Sequence, residues 1–140
     1  MALENSYGNP QEQVVASAAL SGSSGRVIAL PVSAPWVVMA GFAFSYVATA
    51  TAGTRQPAVD FKDAAGNLLF RWFQSGEAIV ASSTARLQGG AGLASLGGAV
   101  FNQGPIPVPL ALPPGATITV LDTANIDVND TVSGTFVYTQ

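Results

Sequence analysis

Between residues 36 and 50 the chain alternates position by position. Trp36, Val38, Phe42, Phe44 and Tyr46 fall on even positions, and Gly41, Ala43 and Ser45 on odd ones. A period of two belongs to an extended chain, so this stretch predicts a strand with its even face in a core. Pro35 stands at the strand's start, where a missing N–H does least harm. The alternation returns around 59–72, where Val59 and Phe61, then Leu68, Phe70 and Trp72, flank Asp63-Ala64-Ala65-Gly66-Asn67. Asp63 can accept from the backbone two residues on, and Gly66 can take the positive φ that closes a turn, which predicts a β-hairpin. Asp60, Lys62, Arg71 and Gln74 take the polar positions, and opposite charges across the pair add about a few tenths of a kcal/mol.

Shorter runs complete the pattern. Residues 13–20, 26–32, 77–87, 116–122 and 131–139 read as strands, with a turn-forming Ser/Gly loop at 21–25. Gly89, Gly90, Gly92, Gly97 and Gly98 predict a long loop. Pro105, Pro107 and Pro109 alternate with Ile106, Val108 and Leu110, which suits a sheet edge because each proline removes a ladder donor. No stretch has helical period. The expected fold is all-β: a β-sandwich of seven to nine short antiparallel strands, jelly-roll-like in its connections, occupying 13–140 behind a flexible arm at 1–12.

Composition changes the picture on one point. The 140 residues are 49% hydrophobic but only 9% charged, against roughly 25% in ordinary soluble domains. An exterior with so little Lys and Glu must be small, neutral and weakly polar, which points to a surface covered by neighbouring subunits. Eight acids and five bases are scattered along the chain, so no basic patch is expected to hold nucleic acid. Residues 27–54 carry no charge and are long enough to cross a bilayer, but Pro31 and Pro35 interrupt them and their period is two. A buried strand is expected there, not a membrane span. The N-terminal stretch has neither the basic start nor the apolar core of a signal peptide, which predicts synthesis and retention in a cytoplasm.

The chain has no histidine and no cysteine, which removes Ser–His and Cys–His nucleophilic sites and thiolate zinc sites. Asp60, Asp63, Glu77, Asp122, Asp127 and Asp130 show no pairing across an apolar cleft, so no catalytic centre, cofactor or metal is expected. Asp122, Asp127 and Asp130 with Asn125 and Asn129 could offer oxygen ligands to Ca²⁺, but lack EF-hand spacing, and Asp and Asn also make turns. Trp36, Phe70, Trp72 and Phe73 could form a sugar-stacking platform, although aromatics at strand spacing more often fill cores. Phe73 breaks the alternation of Phe70 and Trp72 and is expected to face outward.

The run Ile106-Pro107-Val108-Pro109-Leu110-Ala111-Leu112-Pro113-Pro114-Gly115-Ala116-Thr117-Ile118-Thr119-Val120, with Asp122 and then Asp127, Asn129, Asp130 and Thr131 behind it, resembles small virion proteins of tailed bacteriophages. The resemblance covers the C-terminal third. It implies a β-sandwich that decorates or cements a capsid, or serves the neck or tail. It also implies assembly into a virion after synthesis in a host cytoplasm, with the major capsid protein as partner and a homotrimer as a plausible state. The partner-binding residues expected on this reading are Asn5, Tyr7 and Pro10 in the arm, Leu93 and Leu96 in the glycine-rich loop, and Phe73. A carbohydrate- or receptor-binding module is the alternative expectation.

Overall fold

A computed structural model describes residues 10–19, 26–29, 36–73, 78–95, 97, 101–107, 110–122, 127 and 129–139. Ten strands occur in them: β1 (Pro10–Ala19), β2 (Arg26–Ala29), β3 (Val37–Val47), β4 (Pro57–Lys62), β5 (Leu68–Phe73), β6 (Thr84–Gly90), β7 (Phe101–Pro105), β8 (Leu110–Leu112), β9 (Thr117–Asp122) and β10 (Thr131–Thr139). The front sheet runs β1-β10-β3-β6-β7, with β8 pairing the start of β3, and the back sheet runs β2-β9-β4-β5. The chain crosses between the sheets at six of its nine connections, and each sheet interleaves early and late strands. Two sheets of strands facing one another bear out the expected all-β sandwich. Strand pairing is antiparallel except for β6 and β7, which run parallel. No described helix is long and apolar enough to cross a membrane.

The hairpin forms as its sequence dictates. Asp63 Oδ1 accepts from the backbone N–H of Ala65 at 2.9 Å and of Asn67 at 2.8 Å, and Gly66 sits at φ 88°. Val59 and Phe61 on β4 and Trp72 on β5 then point into the sandwich with Ile118 and Val120 of β9. From the front sheet Phe42, Phe44, Tyr46, Leu87, Val132 and Phe136 meet them. Phe42 stands at the centre, stacked on Phe44 at 5.1 Å and edge-on to Trp72 at 5.3 Å. Such pairs add about 0.5–1.5 kcal/mol beyond the area they bury.

Three expectations need correction. The even face of 36–50 is buried only from Phe42 onward, for Val37 and Met39 point inward while Val38 and Trp36 are exposed. The register explains it: Val137 pairs with Gly41 and Tyr138 with Met39, so Ala40 is an extra residue, a bulge that flips the faces. Gly89 and Gly90 are not loop residues but the end of β6, opposite Phe42 and Gly41. A Cβ on Gly89 would stand 2.3 Å from the Phe42 ring, so glycine is required by a neighbour's bulk rather than by a turn. The strand expected at 77–87 begins only at Thr84, because Ala81 and Ser82 form a turn in which Ser82 takes φ 58°.

Smaller differences follow. β1 starts at Pro10, inside the stretch expected as an arm, and β2 is described only over Arg26–Ala29. Of the proline run, Pro105 ends the edge strand β7, as a residue without an N–H can.

Candidate functional site

One end of the sandwich is closed by three loops tied together through Arg55. The loop 48–56 leads from β3 into β4. It is bonded to residues 78–83 by backbone contacts: Arg55 N–H to Ile79 O at 2.8 Å, Ile79 N–H to Arg55 O at 2.9 Å and Ser82 N–H to Thr49 O at 2.7 Å. Arg55 Nε then donates to Asp130 Oδ2 at 2.9 Å, at the entrance to β10. Its Nη1 donates to the carbonyls of Thr51 and Gly53, and its Nη2 to Asp130 Oδ1 and Thr49 Oγ1. Asp130 also accepts from the Tyr46 hydroxyl at 2.9 Å and the Thr49 N–H at 2.8 Å. Both side chains of the ion pair are fully enclosed. Burial alone raises the Asp130 carboxyl, but the hydrogen bonds from Arg55, Thr49 and Tyr46 and the arginine's charge outweigh it, leaving the group below the ordinary carboxylate range.

Asp127 lies beside this clamp. Its Oδ1 accepts from the Asn129 N–H at 2.8 Å, and its carbonyl accepts from the Asp130 N–H at 3.0 Å. The Thr51 hydroxyl, with help from Asn129, holds its carboxyl low. Of the acids considered for Ca²⁺, Asp127 is therefore used by a turn and Asp130 by a clamp, while the Asp122 side chain and Asn125 lie outside what is described. Among the described residues no three His, Cys, Asp or Glu side chains converge as a metal would need.

The second site is the outward face of the back sheet. Asp60 points away from the core, yet it is fully buried. Arg71, its register partner on β5, folds back over it, with Nη2 at 2.6 Å from Oδ2 and Nε on Oδ1. Lys62 approaches the same carboxylate at 3.8 Å. Both cations remain about one-third exposed. The bonds to Asp60 raise the Arg71 guanidinium further above its already high range. Arg71 also lies over the Phe73 ring, 5.4 Å from its centroid. Alternation along β5 places Arg71 and Phe73 outward together, Phe73 is 53% exposed, and a bulge at Leu69 leaves both Leu68 and Leu69 exposed at the strand's start.

The outward face of the front sheet is different in kind. Val38, Ala40, Ala43, Ser45 and Val47 on β3 line up with Thr84, Arg86 and Gln88 on β6 and with Thr131, Ser133, Thr135 and Val137 on β10. All of these are exposed or half-buried. Arg86 is the one charged side chain among them.

Of the expected partner residues, Asn5, Tyr7 and Leu96 lie outside the described residues. Phe73 faces outward as the broken alternation requires. Pro10 opens β1 opposite Thr139, and Leu93 is half-buried just past Gly90. Those two sit toward the β3 start, whereas Phe73 sits at the loop end beside Ala58. The described members of the set, Pro10, Phe73 and Leu93, do not gather into one patch. Nor do the four aromatics form a platform: Trp72 is buried, Phe70 packs at 6.1 Å on Phe61, and exposed Trp36 lies at the end of the sandwich opposite Phe73. The sequence reading missed Arg55. Its signal was position: it is the cation that ends the charge-free run 27–54, and a cation entering a core must meet an acid. No protein-family model, no curated protein and no solved structure matches this chain.

Proposed function

We propose that this chain is a structural subunit of a tailed-bacteriophage virion, a capsid decoration or cement protein that bridges major capsid subunits, working as an oligomer, with a homotrimer as the favoured state. The observation that carries the reading is the outward face formed by β3, β6 and β10, where mostly small, neutral side chains surround Arg86 as the one charge among those three strands. A face of that kind lets another backbone approach closely and loses little hydration when covered. The charge-poor composition and the resemblance of the C-terminal third support it. On this reading the protein adds contacts across capsid junctions and acts without chemistry of its own. The described carboxylates fit that role, since Asp60 and Asp130 are bound to arginines and Asp63 and Asp127 to turn backbone.

The test compares particles with and without the protein for genome loss on heating. The decorated particles should hold their genome to a higher temperature. Equal stability, or absence of the chain from purified particles, removes the reading. A neck, tail or receptor- and carbohydrate-binding role is the second reading, favoured by the exposed rings of Trp36 and Phe73. It predicts glycan-array binding that Phe73→Ala abolishes. Trp72→Ala is no test of it, because Trp72 is a core residue.

A further inference from the structure

We infer that the free side of β5 is an acceptor for an extended strand of another protein, one that carries an acidic side chain between two apolar ones at alternate positions. β5 closes the back sheet, and among the described residues β4 is its only strand partner. The edges of a sheet are ordinarily blunted by proline, charge or a covering element. The front-sheet edge β7 ends in Pro105 with Pro107 just beyond. β5 reads Leu68-Leu69-Phe70-Arg71-Trp72-Phe73 and contains no proline. Its one charge, Arg71, is held at the middle of the strand by paired bonds to Asp60, where it selects among partners by charge.

Exposed apolar side chains concentrate on this strand. Leu68, Leu69 and Phe73 are three of the eight large hydrophobic residues that the described surface exposes. The incoming strand's main chain would extend the ladder along Phe70–Phe73, past the bulge at Leu69, and its side chains would meet Arg71 and Phe73 on the outward face with Leu69 exposed at the bulge. The centre of that pattern is electropositive. Asp60 is wholly buried beneath it, while Arg71 and Lys62 both reach solvent. Asp60 takes Nε and Nη2 of Arg71, which leaves the Nη1 donors outside that pair for a second carboxylate. The same centre disfavours a second copy of this chain: two β5 strands related by a two-fold axis through Arg71 would set arginine against arginine. The inference deepens the structural-subunit reading, on which it rests for the identity of the neighbour.

The experiment uses the full chain and a short synthetic peptide alternating threonine with valine, glutamate and valine. Three control peptides replace the glutamate by lysine, scramble the order, or N-methylate the alternate amides that would pair. Backbone amide shifts are followed by NMR during titration. The acidic peptide should perturb β5 and β4, bind at least about tenfold more tightly than the lysine peptide, and weaken with added salt. N-methylation should abolish the effect. Leu69→Thr and Phe73→Ser, both at exposed positions, should keep the fold by circular dichroism and lose about tenfold in affinity. Absence of binding, equal binding by lysine or N-methylated peptides, or unchanged binding by both variants overturns the inference. So does a concentration-dependent dimer that the peptide dissociates, since a second copy would then own the edge. Because no particle component enters this assay, its failure leaves the decoration-protein reading to be judged by particle composition alone.

Discussion

Asp130 and Asp60 are both fully enclosed carboxylates held by an arginine, yet Arg55 is enclosed along with its acid while Arg71 keeps about a third of its side chain in water. Around Arg55 the chain supplies carbonyls, a threonine hydroxyl and a carboxylate, so each guanidinium nitrogen already has a partner within the fold. Around Arg71 it supplies one carboxylate and one aromatic ring. The first pair spends its bonding capacity on three loops of its own chain. The second leaves capacity over, among exposed apolar neighbours, on a strand whose other side is unpaired among the described residues. Similar ionic chemistry therefore makes a clamp in one place and an accessible surface in the other.

The sharpest way to break the comparison is Asp130→Ala. It strands a buried guanidinium and should cost about 3–5 kcal/mol in chemical denaturation. A loss below about 1 kcal/mol would mean that the clamp is no more consequential than a surface pair. Acidification reaches the same group. Its native carboxyl titrates below the unfolded one, so its contribution is complete above about pH 4 and disappears as pH falls through the lowered native value. Thermal stability measured down the acid limb should fall there, and Asp130→Asn should shallow that fall. Asp60→Asn should cost less, about 1–2 kcal/mol, because Arg71 and Lys62 can turn to water once released. Added salt should narrow the gap between wild type and this variant, but not the gap opened at Asp130. Smallest is Phe73→Ser, expected within about 0.5 kcal/mol of wild type by denaturation. A large loss there would show that the ring supports the fold rather than facing a partner.

The hairpin was readable because its determinants are local: Asp63 bonds atoms two and four residues away, and Gly66 supplies the turn. The final strand was readable for a similar reason, with Val132 and Phe136 setting its buried face. What escaped depended on contacts distant along the chain. The bulge at Ala40 is set by pairing with β10, and Gly89 is a strand residue only because the Phe42 ring lies against it. The parallel pairing of β7 follows no local turn signal. Arg55 and Asp130 stand 75 positions apart, and nothing in either neighbourhood names the other. Asp60 and Arg71 could be matched across the hairpin, but their depth could not, since it depends on how Arg71 folds over the sheet.

The position of β10 bears on how the molecule comes to be made. It is the last described strand to be synthesised, and it lies between the first and the third. Until it emerges, β1 has no neighbour in its sheet and β3 lacks one of its two long flanking strands. Folding of this sheet is therefore expected to wait until β10 has emerged rather than to proceed strand by strand, and to be slow for a domain of this size. Nascent copies would carry open strand edges in the meantime, at risk of pairing with each other. Removal of β10 would take away the middle of the sheet, so a shortened chain should fail to fold at all instead of fraying at one side.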